Sequence, residues 1–283
     1  MNELGRGRPP GGNWRAGSRV AFFGGSFDPP HLGHLAVARA ARTAFRLDTV
    51  LFAPVGAQPL KPEGSAASFE QRLAMTRLAI AGELGFEVSL ADAPKPSGEH
   101  QSTSNNTPNY TFETLERLRA GLAPECALFC LMGADAFFGL RRWHRAAEIP
   151  FVAPLIVASR PGQPPEQMVA GLQAALPAGL TIEAAPDGDT TESGVEVRAF
   201  VLVNRAGARA PFYLLPGLNV EISASEIRER ISAQIHTAAK DLVDPTNLLP
   251  PSVADYIRSH GLYQGSGFRG QATKPGGEGS APA

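Results

Sequence analysis

One segment restricts the fold more than any other. The apolar run Val20-Ala21-Phe22-Phe23 passes directly into Gly24-Gly25-Ser26-Phe27-Asp28-Pro29-Pro30-His31-Leu32-Gly33-His34, and a helical pattern follows from Leu35 to Phe45. Four consecutive apolar residues without alternation suit a strand covered on both faces, as in a parallel sheet. The glycines permit a tight turn, and the helix after it begins with unpaired N–H groups at a positive dipole end. Strand, glycine-rich turn and helix in this order form a βα unit of the kind that holds phosphate at its turn.

The same alternation continues along the chain. Strands are expected at 19–23, 49–53, 86–90, 127–132, 152–158 and 212–215, with an extra one at 195–203. Helices are expected at 34–45, 69–81, 111–120, 135–139, 165–175, 224–235 and 251–259. The pattern predicts an α/β fold, a doubly wound, mostly parallel sheet with helices on both faces. Residues 1–18 and 264–283, rich in Gly, Pro, Arg, Ser and Ala, are expected to be disordered tails flanking one domain at 19–263. Two stretches have the character of insertions: a polar one near 94–108, and one at 185–210 read as an added hairpin.

Composition narrows the class of function. A formal net charge of −1 over 283 residues provides no broad basic surface, so no nucleic-acid partner is expected. No run of about 18 apolar residues could span a bilayer, so no membrane partner is expected either. The start, Met1-Asn2-Glu3 followed by Gly, Arg and Pro, has no apolar signal core. Cys126 and Cys130 lie in one apolar run, Cys126-Ala127-Leu128-Phe129-Cys130, and are read as buried reduced thiols. The expected location is cytoplasmic.

His31 and His34 stand three apart at a helix start, so both can face the same ligand. Gly24 and Gly25 let the backbone approach a phosphate, and Gly33 removes a Cβ where a ligand would lie. A plain turn, with one histidine capping and the other solvated, would use the same residues. A metal site is the other competitor, but no third ligand accompanies the pair. A second element is Glu221-Ile222-Ser223-Ala224-Ser225-Glu226-Ile227-Arg228. Ser223 and Glu226 have the spacing of a capping box, and Ser225 with Arg228 one turn on could grip phosphates, although an ordinary capped helix has the same pattern.

The first segment resembles the signature of the nucleotidyltransferase superfamily with a His-x-Gly-His motif. Between the two ends, further blocks resemble bacterial nicotinate-nucleotide adenylyltransferases. They are Pro108-Asn109-Tyr110-Thr111-Phe112-Glu113-Thr114-Leu115, Leu131-Met132-Gly133-Ala134-Asp135 with Trp143-His144, Val157-Ala158-Ser159-Arg160-Pro161-Gly162, and Val253 to Tyr263. Ala224 and Leu60 depart from the commoner family residues at their positions. The resemblance covers 19–263 apart from the insertions and implies a Rossmann-like fold.

That resemblance also implies roles. His31, His34 and Arg228 would be catalytic. Gly24, Gly25, Ser26, Gly33, Gly133, Asp135 and Ser225 would bind ATP, with Asp135 on the ribose hydroxyls or capping its helix. Lys61, Tyr110, Thr111 and Trp143 would bind the nicotinate mononucleotide, although Trp143 would also serve as a core aromatic. Arg72 is read as positioning a loop. Mg²⁺ would arrive with ATP, because no carboxylate pair marks a fixed metal cage. The implied reaction is adenylyl transfer from ATP to nicotinate mononucleotide. The alternatives are a related enzyme acting on nicotinamide mononucleotide or phosphopantetheine, and a non-catalytic nucleotide-binding module.

Overall fold

The computed structural model describes residues 14–58, 60, 64–94, 108–159, 171–185, 190–192, 194–215, 223–236 and 245–264. In chain order these form β1 (Arg19–Gly25), α1 (Leu32–Ala44), β2 (Thr49–Pro54), α2 (Phe69–Ala79), β3 (Phe86–Val88), α3 (Thr111–Gly121), β4 (Ala127–Gly133), α4 (Ala134–Phe138), α5 (Ile149–Val152) and β5 (Leu155–Ala158). Then follow β6 (Leu180–Ala184), β7 (Thr190–Glu192), β8 (Val195–Asn204), β9 (Arg209–Leu215), α6 (Ala224–His236) and α7 (Pro251–Ser259).

The strand order is β3-β2-β1-β4-β5-β9-β8-β6, with β7 paired to β8. All pairings from β3 across to β9 are parallel, and those that β8 makes with β9, β6 and β7 are antiparallel. The chain winds outward from β1 through β2 to β3, then crosses back to place β4 on the other side of β1. Adjacent strands whose connections leave in opposite directions open a crevice at their carboxyl ends. Here that crevice lies beyond Gly25 and Gly133, the last residues of β1 and β4.

Side-chain alternation along the strands builds two cores. Val20 and Phe22 point to the face covered by Leu115, Leu118, Phe137 and Ile149 of α3, α4 and α5. Ala21 and Phe23 point to the other face, covered by Leu35, Met75, Ile227 and Val253 of α1, α2, α6 and α7. Because both faces of β1 and β2 are covered, neither strand alternates in polarity.

Most boundaries fall within two or three residues of the sequence expectation, and the exceptions have local causes. α1 starts at Leu32, two residues early, which makes His31 its N-cap. The expected strand 152–158 shortens to β5, because Pro150 opens the helical turn α5 and the strand begins only after Pro154. Of the helix expected at 165–175, residues 171–175 are described and are helical. The expected hairpin at 185–210 takes part in a larger antiparallel extension, in which the ten-residue β8 pairs three strands. The stretch 94–108 lies almost wholly outside the described residues, as do 1–13 and 265–283 of the expected tails; residues 14–18, expected to be disordered, are described, and Trp14 packs against the core.

Cys126 and Cys130 are free and buried. Four residues of extended chain separate them by about 13 Å, too far for a disulfide. Burial, with a contribution from Asp92, pushes the Cys130 thiol up to about 12.

Two glycines at the carboxyl edge make opposite demands. A Cβ on Gly56 would lie 2.5 Å from the Pro94 nitrogen and 2.7 Å from its Cα, whereas one on Gly133 would meet nothing within 4 Å. Gly56→Ala should therefore destabilise the protein by roughly 1–3 kcal/mol, as overpacking against backbone does. Gly133→Ala should cost less than about 1 kcal/mol, the difference between two weak N-caps. Chemical denaturation of the two variants measures both, and equal midpoints would contradict the close approach at Gly56.

Candidate active site

The crevice is lined first by the two imidazoles. His31 has extended backbone (φ −137°, ψ 171°) and occupies the N-cap of α1, while His34 is the third residue of the helix. The His31 N–H donates to Nδ1 of His34 at 3.2 Å. A neutral His34 ring therefore carries its proton on Nε2. The rings lie against one another, with centroids 3.8 Å apart and planes 34° from parallel. His31 is 7% exposed, and its Nδ1 is buried without a hydrogen-bond partner among the described residues.

Both rings are poor bases in this setting. Burial lowers His31 to about 4. Burial, and then the neighbouring His31, hold His34 well below the ordinary imidazole value. Two adjacent imidazoles out of water favour the neutral form. Each keeps one N–H donor beside the unpaired amides of the α1 N-terminus, an arrangement suited to an incoming anion.

Phe27 turns the chain between β1 and α1. Its φ of +48° is in the left-handed region, which costs a non-glycine residue about 1 kcal/mol or more. Packing holds it there: the Phe27 ring is 1% exposed and meets Phe23 and His34 edge-on, at 5.6 and 5.0 Å between centroids. Beside it, the Ser26 hydroxyl accepts a hydrogen bond from the Gln58 side-chain amide.

Arg228 reaches this turn from α6. Its guanidinium donates to the Asp28 carbonyl at 2.6 Å and to the Ser225 hydroxyl at 3.2 Å. The start of α6 is thus folded onto the histidine turn across 200 residues of sequence. Glu226, which the sequence pairs with Ser223 in a capping box, forms an ion pair with Arg230, one turn on.

Beneath the turn, Arg72 is 2% exposed and donates to three backbone carbonyls: Ser26 at 2.7 Å, Val55 at 2.8 Å and Ala67 at 3.3 Å. The loop-positioning role read for Arg72 agrees with these contacts. Asn109 performs a similar task nearby. Its side chain accepts from the Ala57 N–H (3.1 Å) and donates to the Ala93 carbonyl (3.0 Å), joining the loops that follow β2 and β3. Asp92 accepts from the Thr114 hydroxyl at 2.5 Å and fastens the start of α3 to the same loops. The sequence offers no signal for Asn109 beyond its place between Pro108 and Tyr110.

The expected acceptor residues gather at α3. Tyr110 is its N-cap and Thr111 its first residue. The Tyr110 ring lies 4.6 Å from that of His144, whose Nε2 is 3.2 Å from Glu113. Trp143, immediately before His144, is half-buried and packs against the core. Asp135 differs from the capping expectation. Gly133 is the N-cap of α4, and Asp135, exposed, is the second residue of the helix. Lys61 lies outside the described residues. A groove of about 650 Å³ between α3 and α5 opens at the amino ends of β4 and β5 and contains none of these residues.

Among the described residues, no group of three or more His, Cys, Asp or Glu could hold a metal ion. Nor is any described helix long and apolar enough to cross a membrane.

Residues 22–230 match the model of the cytidylyltransferase-like family. The "Probable nicotinate-nucleotide adenylyltransferase" of Solibacter usitatus is 33% identical over 245 residues, covering 87% of this chain and 99% of that protein. The protein of the same name from Gloeobacter violaceus is 35% identical over 249 residues, covering 87% and 97%. The chain belongs to the cytidylyltransferase-like family, on the nicotinate-nucleotide adenylyltransferase branch. A solved structure, Plasmodium falciparum nicotinic acid mononucleotide adenylyltransferase complexed with NaAD, shares the fold, with TM-score 0.54, 17% identity and coverage of 87% of this chain and 97% of that one. The Rossmann-like architecture of the family is the one built here around β1 and β4.

The depressed histidines make stability depend on pH. His31 titrates near 6.5 in the unfolded chain and near 4 in the fold, so between those values the unfolded chain binds more protons. Stability is full above about pH 6.5 and falls as pH drops toward 4, by up to about 3 kcal/mol from His31 alone. His31→Gln should flatten this acid limb in denaturation midpoints taken from pH 7 to 4.5. A slope as steep as that of the unaltered protein would contradict a neutral, buried His31.

Proposed function

We infer that this protein transfers the adenylyl group of ATP to nicotinate mononucleotide, giving nicotinate adenine dinucleotide and pyrophosphate, a step of NAD biosynthesis. The observation that carries the reading is the meeting of Arg228 with the His31–His34 turn, in a chain whose curated relatives of that name align over nearly their full length.

The 5′-phosphate oxygen of the mononucleotide attacks the α-phosphorus of ATP in line. The bond from that phosphorus to the bridging oxygen breaks, and pyrophosphate leaves. No covalent enzyme intermediate is needed, so catalysis consists of alignment and charge stabilisation. His34, donating through Nε2, and His31 offset charge developing on the α-phosphate. Their neutrality in the free protein limits the desolvation cost of an empty site, and the approach of phosphate oxygens favours their protonation. Arg228 and Ser225 hold the β- and γ-phosphates and then the leaving pyrophosphate.

Gly24, Gly25, Ser26 and Gly33 form the backbone bed for the triphosphate. Gly133 and Asp135 take the nucleoside, with Asp135 on the ribose hydroxyls. Tyr110, Thr111 and Trp143 enclose the pyridine ring, whose flat face suits an indole. Lys61, by its place in the loop between β2 and α2, anchors the acceptor phosphate. Adenylyl transfer from ATP generally uses a divalent metal. Mg²⁺, bound to the triphosphate, is the ion assigned here, and it would neutralise phosphate charge. The catalytic domain is assigned to 19–263, and the buried free thiols fit a cytoplasmic location.

Pyrophosphate release from ATP, measured with nicotinate mononucleotide, nicotinamide mononucleotide and phosphopantetheine in turn, tests the reading. Release is expected with nicotinate mononucleotide; release with phosphopantetheine and neither pyridine nucleotide would overturn it. His34→Ala should lower kcat by about 10²-fold or more with little change in KM, the usual loss for one preorganised donor. An unaltered kcat would remove His34 from the mechanism. Trp143→Ala should raise KM for the pyridine nucleotide several-fold, and a rise confined to ATP would show that the indole is assigned to the wrong substrate.

A further inference from the structure

Asp28 joins more parts of the site than any residue assigned above. It is 3% exposed, although it lies in the turn that carries the histidines. One carboxylate oxygen accepts from the Ala66 N–H at 2.6 Å; the other accepts from the Ala67 N–H at 3.1 Å and from the Tyr263 hydroxyl at 2.8 Å. Its carbonyl takes the Arg228 contact already described. A buried carboxylate needs this saturation with donors, supported by the positive charge of Arg72 beside it.

The donor from Tyr263 comes from the far end of the chain and is built into place. α7 ends at Ser259, and Gly261 takes φ +58° while the Leu262 N–H returns to the Ile257 carbonyl at 3.0 Å. This glycine-closed helix end turns the chain inward. Tyr263 then adopts φ +64°, a left-handed conformation that a tyrosine holds only where its surroundings fix it. The side chain is 4% exposed, and burial together with the Asp28 carboxylate pushes its phenol up, keeping it a donor.

The loop between β2 and α2 is therefore tied at both ends. Arg72 and Asn109 hold Val55 and Ala57 at its start; Asp28 holds Ala66 and Ala67 at its close. We propose that Tyr263 is a positioning residue for the acceptor: by holding the Asp28 carboxylate on the Ala66 and Ala67 amides, it sets the β2–α2 loop against the His31–His34 turn. The C-terminal helix thus acts on the acceptor's phosphate through Asp28 without touching either substrate. This rests on the assignment of that loop to the acceptor.

Tyr263→Phe removes the hydroxyl and keeps the buried ring. Ser252→Ala serves as its control, because Ser252 of α7 donates to the Leu78 carbonyl of α2 at 3.1 Å and so ties the same helix without reaching Asp28. Steady-state pyrophosphate release by full-length protein, with each substrate varied in turn, reads both KM values. Tyr263→Phe should raise KM for nicotinate mononucleotide about 5- to 10-fold, leave KM for ATP within about 2-fold, and lower kcat little, as loss of one aligning hydrogen bond does. Ser252→Ala should leave both KM values unaltered.

If Tyr263→Phe matches Ser252→Ala in both KM values, the tyrosine is structural only and the proposal fails. A rise confined to ATP, or equal for the two substrates, overturns the assignment to the acceptor. If the unaltered protein releases no pyrophosphate with either pyridine mononucleotide, it is the underlying function that fails, a result separable from the others.

Discussion

A positive charge buried beneath the carboxyl edge of the sheet holds the site together. Burying a guanidinium in a protein interior is costly unless hydrogen bonds replace its water. Arg72 meets that condition with carbonyls from three places, Ser26, Val55 and Ala67, none of which lies within a strand or helix. Loops at the end of a parallel sheet leave carbonyls to which no neighbouring strand donates, and one planar cation satisfies several of them at once. The Asp28 carboxylate beside it provides countercharge and gathers amides from the same region. The pair joins two connections, the β1–α1 turn and both ends of the β2–α2 loop, into a fixed rim.

That rim allows the histidines to be neutral and still useful. His31 and His34 lie against each other, largely out of water, over a wall formed by Phe23, Phe27 and Phe52. Burial makes these rings resist protonation, and in the adenylyl-transfer reading a polyphosphate would meet N–H donors from side chain and backbone. The site is therefore organised before its ligand arrives, the condition under which electrostatic stabilisation costs no reorganisation.

Much of the architecture was legible in the sequence because it depends on local pattern. The apolar run at 20–23 is a strand, which Gly24 and Gly25 extend to the edge of the turn, and the seven helical patterns fell close to observed helical residues. Where the reading slipped at element ends, local backbone chemistry decided. Pro150 and Pro154 moved the start of β5, and the early start of α1 made His31 a cap rather than a loop residue. The strands β6 and β7 are short, with partly polar sequences, and acquire their identity only by pairing with β8.

The sequence by itself determined the candidate groups: two histidines at a helix start, Ser225 and Arg228 at another, and an aromatic block between them. Each is a local arrangement whose residue types and spacing carry its meaning. Only the tertiary structure decided how these parts are held. Arg228 lies on Asp28, Asn109 joins two loops, and Tyr263 reaches back from the end of the chain. Those contacts unite residues as many as 235 positions apart. Hydrogen bonds of that kind obey no sequence period; they follow from which carbonyls and amides the parallel sheet leaves unpaired at its carboxyl edge.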